Sequence, residues 1–214
     1  MTSQISDLTD QTDHEGTDMR RPSAELLQRF AQLPTANVAD AQDRLGALDS
    51  HIKPVWRGAT IAGPAFTVWT RAGDNKLLHE ALRLAHPGDV LVVNGQGDET
   101  RALIGELMAE RAKFRGLAGF VIDGAVRDAD VIGEIEVPVF ARAVTPAGPF
   151  KHGPGKLGCN IAVGGVAVSP GDIVLGDADG VVIVTQEEAE QVLVNAEAKF
   201  ADETARRADI KAGR

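Results

Sequence analysis

Residues 105–128, GELMAERAKFRGLAGFVIDGAVRD, are the most informative stretch of this 214-residue chain. The segment begins with a glycine and an acidic first helical turn, continues through a buried strand, and ends in a turn at Arg127 and Asp128. The helix start and the strand end would bring backbone N–H donors, a carboxylate and a guanidinium to one edge of a sheet. These groups suit a small anionic substrate held beside a metal ion.

On either side of this segment the chain alternates helical and strand patterns. Helices are predicted at 22–33, at 35 or 37 to 45, at 75–86 and at 130–135, and strands at 59–70, 89–93, 117–122 and 137–141. Gly63-Pro64 indicates a bend or an edge in the first of these strands. The stretch Gly95-Gln96-Gly97 is interpreted as a flexible loop.

Beyond residue 148 the chain is rich in glycine, with short Val/Ile runs that predict antiparallel strands. A long charged helix follows at 186–208. Its apolar stripe, Leu193, Ala196 and Phe200, is typical of a helix that packs against a neighbouring subunit. The chain is therefore predicted to be a single α/β domain over residues 22–214. A central β/α/β layer, an extra β layer and a long C-terminal helix make up that domain, and residues 1–21 form a mobile acidic extension before it.

The amino-acid composition of the chain argues against several classes of function. A net charge of -9 argues against a nucleic-acid binder, which needs a basic face. The single cysteine, Cys159, cannot form an intrachain disulfide, which fits a reducing compartment. No apolar run is long enough to span a bilayer, and the N-terminus lacks the apolar core of a signal peptide. We interpret the protein as cytoplasmic, with no membrane partner.

The Arg127-Asp128 pair is the first candidate for chemistry. Taken alone, such a pair is most often a solvated surface feature. Its position just after a buried strand favours a ligand site. Asp128 could then offer one hard oxygen to Mg²⁺ or Mn²⁺, and Arg127 could bind an enolate or carboxylate oxygen.

Glu106 is the second candidate. The helix macrodipole alone would stabilise a carboxylate in this first turn. The same helix start would also leave the N–H groups of Leu107 and Met108 free to bind a substrate carboxylate.

Other chemistries lack their motifs. Thr100 replaces the third glycine of a dinucleotide loop, and no phosphate-binding P-loop occurs. The five histidines show no metal-ligand spacing, and His79 is interpreted as a packed or surface residue. Lys76, Lys113 and Lys199 lie in polar helical settings, whereas a Schiff-base lysine needs an apolar pocket. The remaining interpretation is a site built from carboxylates and an arginine that works with a metal ion.

Five motifs, in this order and spacing, resemble the class II pyruvate aldolases of the RraA-like superfamily. They are GDN at 73–75, PGDVLVV at 87–93, GELMAERA at 105–112, DGAVRDAD at 123–130 and SPGDIVLGDADGVVIV at 169–184. The type case is 4-hydroxy-4-methyl-2-oxoglutarate / 4-carboxy-4-hydroxy-2-oxoadipate aldolase. The superfamily also contains the regulator of ribonuclease E activity. The resemblance implies a swivelling β/β/α domain that forms a homotrimer or a dimer of trimers, with active sites between subunits.

The resemblance also implies a role for each matching residue. It makes Asp128 the direct metal ligand, while Arg127 contacts the pyruvyl oxygens and Glu106 holds metal-bound water. The substrate-contacting positions match Asn75, Gly105 and the backbone amides of Leu107 and Met108. Glu203 matches a helix glutamate that reaches the neighbouring subunit's site and is typically absent from the ribonuclease regulators. Its alternative interpretation is a solvated helix charge.

The expected function is therefore a lyase dependent on Mg²⁺ or Mn²⁺. It would cleave 4-hydroxy-4-methyl-2-oxoglutarate-type 2-oxo acids to pyruvate and would also decarboxylate oxaloacetate. Two alternatives stay open: a non-catalytic regulator of ribonuclease E activity, and an aldolase-like protein acting on an unrelated hydroxy acid.

Overall fold

A computed structural model describes residues 19–214 of the chain. The helices are α1 (Ala24–Phe30), α2 (Thr35–Asp40), α3 (Lys76–Leu84), α4 (Glu106–Phe114), α5 (Ala129–Glu134) and α6 (Ala189–Lys211). The strands are β1 (Lys53–Pro54), β2 (Ile61–Thr70), β3 (Val90–Ala102), β4 (Gly119–Val126), β5 (Val139–Val144), β6 (Gly155–Leu157), β7 (Ile161–Val163), β8 (Val166–Val168), β9 (Ile173–Asp177) and β10 (Gly180–Val184). The α/β architecture with a long C-terminal helix is confirmed.

The centre of the fold is a parallel sheet in which β2, β3, β4 and β5 are neighbours. All eight residues of β4 are buried, as expected for a parallel strand covered on both faces. One face packs against α3, α4 and α5 in a cluster that includes Leu78, Met108 and Ile132. The carboxyl ends of the parallel strands therefore meet at one edge of the sheet, beside the starts of these helices.

The other face packs against a second β layer. Residues of β7 to β10 share a core with Val92, Val121 and Phe140 of the parallel strands. Because side chains alternate along a strand, β9 and β10 turn their remaining apolar residues to α1, α2 and α6. The antiparallel strands predicted for this region are confirmed: β7 pairs with β8, and β9 pairs with β10.

The Gly63-Pro64 pair does not lie in an edge strand, contrary to one of its two predicted roles. β2 is internal: Ile61–Pro64 pairs with β9, and Ala65–Trp69 pairs with β3. Pro64 is the last residue of the first ladder and precedes the first residue of the second. Its missing N–H therefore falls at the junction between two partners, where a proline disturbs neither ladder.

The predicted flexible loop at Gly95-Gln96-Gly97 is also wrong, because these residues continue β3. The strand keeps its pairing with β4 through two register shifts between Asn94 and Ala102. Gln96 and Gly97 adopt positive φ angles of 62° and 67°, which place the extra residues in a bulge.

Two predicted boundaries also change. The second helix ends at Asp40 rather than residue 45, because Asp43 and Arg44 have positive φ angles that end a helix. Arg21, assigned to the mobile extension, belongs to the folded domain: its guanidinium donates to both carboxylate oxygens of buried Asp89, at 3.0 and 3.1 Å. The rest of that extension, residues 1–18, lies outside the described residues.

Among residues 19–214, none of the helices combines the length and apolar character needed to cross a membrane.

Candidate functional site

Loops that follow three neighbouring strands form one cavity of about 240 Å³ at the carboxyl edge of the parallel sheet. Asn75 follows β2 at the start of α3, Leu103 to Gly105 follow β3, and Arg127 and Asp128 follow β4. The lining consists of Asn75, His79, Ala102, Leu103, Ile104, Gly105, Glu106, Leu107, Met108, Arg111, Arg127, Asp128, Pro149 and Lys151. Every predicted site residue except Glu203 is among them.

Gly105 allows this convergence because it has no side chain. A Cβ at this position would collide with Oδ2 of Asp128 and would lie 2.9 Å from Cγ and Nε of Arg127. Real Cβ atoms do not approach other atoms so closely, so any larger residue would displace the Arg127-Asp128 pair. Gly105 therefore shapes the site by close packing rather than by its backbone conformation.

Asp128 occupies the left-handed region of backbone space, with φ 60° and ψ 37°, which aspartate tolerates better than most residues. Its Oδ2 accepts the N–H of Glu106 at 3.1 Å and lies 3.4 Å from Nε of Arg127. The side chains of Arg127 and Asp128 are 44% and 34% exposed. Both side chains remain open to the cavity. The contact between them can therefore hold each in place while both bind a ligand.

The first turn of α4 offers fewer free amides than predicted. Glu106 donates its N–H to Asp128, and Met108 donates its N–H to the carbonyl of Gly105 at 3.1 Å. The prediction of a free Met108 amide is therefore wrong, although bonds shared between two acceptors are common at helix starts. The N–H of Leu107 has no acceptor within residues 19–214.

Asn75 presents an acceptor rather than a donor. Its Nδ2 donates to the carbonyl of Leu103 at 3.0 Å and contacts Sδ of Met108 at 3.6 Å. The side chain is buried, and Oδ1 has no partner among the described residues. Because an unsatisfied buried oxygen is costly, Oδ1 needs a hydroxyl or water donor.

Sequence reasoning missed three residues of the cavity lining: His79 and the positively charged Arg111 and Lys151. His79 lies one helical turn after Asn75, and Arg111 lies on α4 near the cavity, so helical spacing from the predicted residues could have indicated both. Lys151 comes from the segment after β5, which no local motif connects with the site. Burial lowers the pKa of His79 below its usual 6.5, and the nearby charges of Lys151 and Arg111 lower it further.

Glu203 lies elsewhere in the chain. It is on α6, which packs through Val192, Leu193 and Ala196 against β9, β10, α1 and α2. From Ala201 onward every residue of α6 is exposed except Glu203, which is half-buried. Within one chain, Glu203 is therefore not part of the cavity.

The donor set fits a hard divalent cation. Glu106 and Asp128 both line the cavity, and Oδ1 of Asp128 accepts no hydrogen bond from the described residues. No group of three or more His, Cys, Asp or Glu side chains within residues 19–214 could enclose a metal ion. Mg²⁺ and Mn²⁺ are commonly held by one or two carboxylates with water in the other positions, whereas zinc prefers a His and Cys cluster.

Comparison with known sequences agrees with the family resemblance of the sequence motifs. The RraA-like family model, described as Aldolase/RraA, matches residues 35–183. This range contains the whole cavity but not Glu203. A protein of Halalkalibacterium halodurans, provisionally named as a 4-hydroxy-4-methyl-2-oxoglutarate aldolase, is 40% identical over 188 residues, which are 88% of this chain and 90% of that protein.

Two solved structures share the architecture. An uncharacterized protein from Pseudomonas syringae pv. tomato superposes with a TM-score of 0.83 at 27% identity, covering 91% of this chain and 92% of that one. A Streptomyces coelicolor protein, described as an unusual member of the RNase ES inhibitor RraA family, superposes with a TM-score of 0.79 at 28% identity, covering 88% and 98%.

Proposed function

This chain belongs to the RraA-like family, and we propose that it is a divalent-metal-dependent lyase that releases pyruvate from 4-hydroxy-4-methyl-2-oxoglutarate-type 2-oxo acids. One observation carries the proposal. A single cavity brings together two carboxylates, Glu106 and Asp128, the guanidinium of Arg127 and the free N–H of Leu107. An anionic 2-oxo acid needs this combination: an N–H that donates to its carboxylate, a cation at its keto oxygen and a proton acceptor.

The pyruvyl end of the substrate binds at the start of α4. The N–H of Leu107 donates to the substrate carboxylate, and the N–H of Met108 adds a bond shared with Gly105. The guanidinium of Arg127 donates to the 2-keto oxygen. Oδ1 of Asn75 accepts a hydrogen bond from a substrate hydroxyl or a bound water, which satisfies this unpaired oxygen.

Cleavage requires one proton acceptor and one electron sink. In the retro-aldol direction a base removes the C4 hydroxyl proton, the C3–C4 bond breaks, and its electrons form the enolate of pyruvate. Arg127 stabilises the negative charge on the enolate oxygen. Glu106, at the cavity wall, accepts the proton, and protonation of C3 then completes pyruvate.

Asp128 would hold Mg²⁺ or Mn²⁺, and Glu106 would help to hold its water ligands. A cation bound there supplies Lewis-acid stabilisation of the enolate oxygen. Oxaloacetate decarboxylation produces the same enolate by loss of carbon dioxide. One site therefore supports both activities.

Assembly completes the site in this proposal. The exposed end of α6 carries Glu203 to the cavity of a neighbouring subunit, where it shares the proton-transfer role of Glu106. A homotrimer or a dimer of trimers provides such contacts between identical chains. The exposure of the α6 residues on both sides of Glu203 supports this arrangement.

The direct test measures pyruvate release from 4-hydroxy-4-methyl-2-oxoglutarate and from oxaloacetate, with Mg²⁺ and with EDTA. We expect turnover of both substrates that EDTA abolishes and Mg²⁺ or Mn²⁺ restores. Full turnover in chelated protein would remove the metal from the mechanism. Borohydride treatment in the presence of pyruvate tests for a Schiff-base mechanism. An adduct trapped on Lys151 would indicate such a mechanism instead of electrostatic stabilisation of the enolate.

The second candidate function is non-catalytic regulation of ribonuclease E. The close superposition on the RNase ES inhibitor family member supports it. In that case, neither substrate would yield pyruvate with any divalent metal. The protein would instead bind ribonuclease E and reduce RNA cleavage, and Asp128→Asn would leave that inhibition unchanged.

A further inference from the structure

A second groove runs along the outside of α3 and α4 and opens toward the site cavity. Its volume is about 560 Å³, and His79 and Arg111 line both the groove and the cavity. Its apolar surface comes from buried Leu82 and from Phe114, whose exposed fraction of 93% is high for an aromatic residue. A face of this kind indicates a binding surface.

The rim of this groove is basic in a protein that is acidic as a whole. Its charged side chains are Lys76, Arg83, Arg111, Arg115, Glu80 and Glu110, four positive against two negative. The whole chain carries a net charge of -9. A local basic surface in an acidic protein favours an acidic occupant.

The chain itself supplies an acidic segment next to one end of the groove. Arg21 forms its ion pair with Asp89, and Asp89 also accepts the N–H of His86, just after α3. Arg115 donates to the carbonyls of Arg83 and Ala85 at the same end of α3. The described chain therefore begins beside the end of the groove that is farther from the site cavity.

Residues 1–18 carry five acidic side chains and no lysine or arginine. They also include Met1, Ile5 and Leu8, which could cover an apolar floor. A chain of this length can extend to about 60 Å, whereas α3 is only about 13 Å long. Reach and charge therefore both match this groove.

We infer that residues 1–18 dock in the α3–α4 groove of their own chain, with their carboxylates against Arg83, Arg111 and Arg115. Composition alone predicts a mobile extension, but composition does not include the basic groove that the fold builds beside it. In this position the segment brings negative charge next to Arg111 and His79. Docking itself does not depend on the proposed reaction.

Photo-crosslinking in the full-length protein tests this inference without an activity assay. The photoreactive p-benzoyl-phenylalanine replaces Phe114, whose exposure makes the change tolerable. Trypsin releases residues 1–20 as one peptide, because no lysine or arginine precedes Arg20. We expect this peptide as the main crosslinked product. A probe at Leu45, an exposed apolar residue after α2, should yield none.

Charge and isotope controls sharpen the result. Changing Asp7, Asp10, Asp13, Glu15 and Asp18 to Asn or Gln should lower the yield several-fold. Raising salt from 0.1 to 1 M should do the same, because the Debye length falls from about 10 to about 3 Å. Arg83→Gln should weaken the crosslink, whereas Arg57→Gln, outside the groove, should not.

The inference would be overturned by a crosslink from position 114 to another part of the chain or by the absence of any crosslink. A crosslink yield that does not change when the five acidic side chains are neutralised would also overturn it. In oligomers mixed from ¹⁵N-labelled and unlabelled chains, a product that joins the two isotopes would assign the groove to a neighbour's segment and reject docking within one chain.

Discussion

The backbone N–H of Glu106 donates to Oδ2 of Asp128 across 3.1 Å. This bond joins the first residue of α4 to the residue that precedes α5, although the two are 22 positions apart in the chain. It couples the helix start to the Arg127-Asp128 turn. A disturbance of either element should therefore change both the amide donors and the carboxylate.

Replacement of Gly105 tests this coupling. In Gly105→Ala the added Cβ collides with Asp128 and Arg127, so the pair must move. We expect a stability loss of about 1–3 kcal/mol and a fall in kcat/KM on the order of 100-fold. Gly148→Ala is the matched control, since its Cβ would lie an ordinary 3.5 Å from Nη1 of Arg127. Equal activity of the two variants would contradict the role given to Gly105.

Two substitutions of Asp128 separate its charge from its backbone role. Asn tolerates the left-handed conformation and can still accept the Glu106 N–H, so Asp128→Asn should stay folded but lose Mn²⁺ binding and turnover. Asp128→Ala should lose the same functions and also about 1 kcal/mol of stability. Urea unfolding and Mn²⁺ titration followed by electron paramagnetic resonance measure these effects. Unchanged Mn²⁺ affinity in Asp128→Asn would place the metal elsewhere.

Arg127→Lys should severely reduce kcat/KM on 2-oxo acids. A lysine ammonium lacks the planar fork that can contact two oxygens together. Because Arg127 is half exposed, the stability of the variant should change by no more than about 0.5 kcal/mol. Arg57→Lys, on the surface away from the cavity, serves as the control. Near-native kinetics in Arg127→Lys would remove this arginine from substrate binding.

The shared-site hypothesis predicts complementation between two inactive variants. Arg127→Ala and Glu203→Ala oligomers should each be nearly inactive, and their unfolding and reassembly together should restore part of the activity. Mixed interfaces can combine an intact Arg127 from one chain with an intact Glu203 from its neighbour. Activity and mass of the reassembled oligomers measure the effect.

A control lies on the same helix. Glu197→Ala breaks only the ion pair with Arg29 and should leave turnover intact. Mixed oligomers that are no more active than the separate variants would refute the shared site. Wild-type activity in Glu203→Ala alone would do so as well.

Acid should destabilise the protein through Asp49. The backbone N–H of His51 and the guanidinium of Arg142 hold the pKa of this carboxyl well below its ordinary value of 3.8. Because the folded-state pKa is the lower one, the stabilisation is present above about pH 4 and is lost as the pH falls below it. Urea midpoints measured from pH 6 to pH 2 should fall less steeply in Asp49→Asn than in the wild type. In Glu99→Gln, which alters an exposed carboxylate on β3, the slope should match that of the wild type.

Local sequence patterns predicted most of the helices and strands, because the residues that determine such an element are neighbours in the chain. The buried strand before Arg127 and the acidic start of α4 are both encoded by neighbouring residues, as is the Ser23 hydroxyl that caps α1. Where the prediction failed, distant residues decided the outcome. Gly95-Gln96-Gly97 continues β3 because β4 supplies a partner, and Pro64 is internal because β2 changes partners there.

The candidate site shows the same division. The α/β alternation and the family could be predicted from the residues alone, as could the choice of Asn75, Glu106, Arg127 and Asp128 as candidates. The folded chain was needed to show that these residues share one cavity, that Lys151 joins them and that Glu203 does not. It also decided that the Met108 amide is already bonded and that Asn75 presents an acceptor. Side-chain identity and local periodicity are written in the sequence, whereas distances and hydrogen-bond partners depend on segments that become neighbours only when the chain folds.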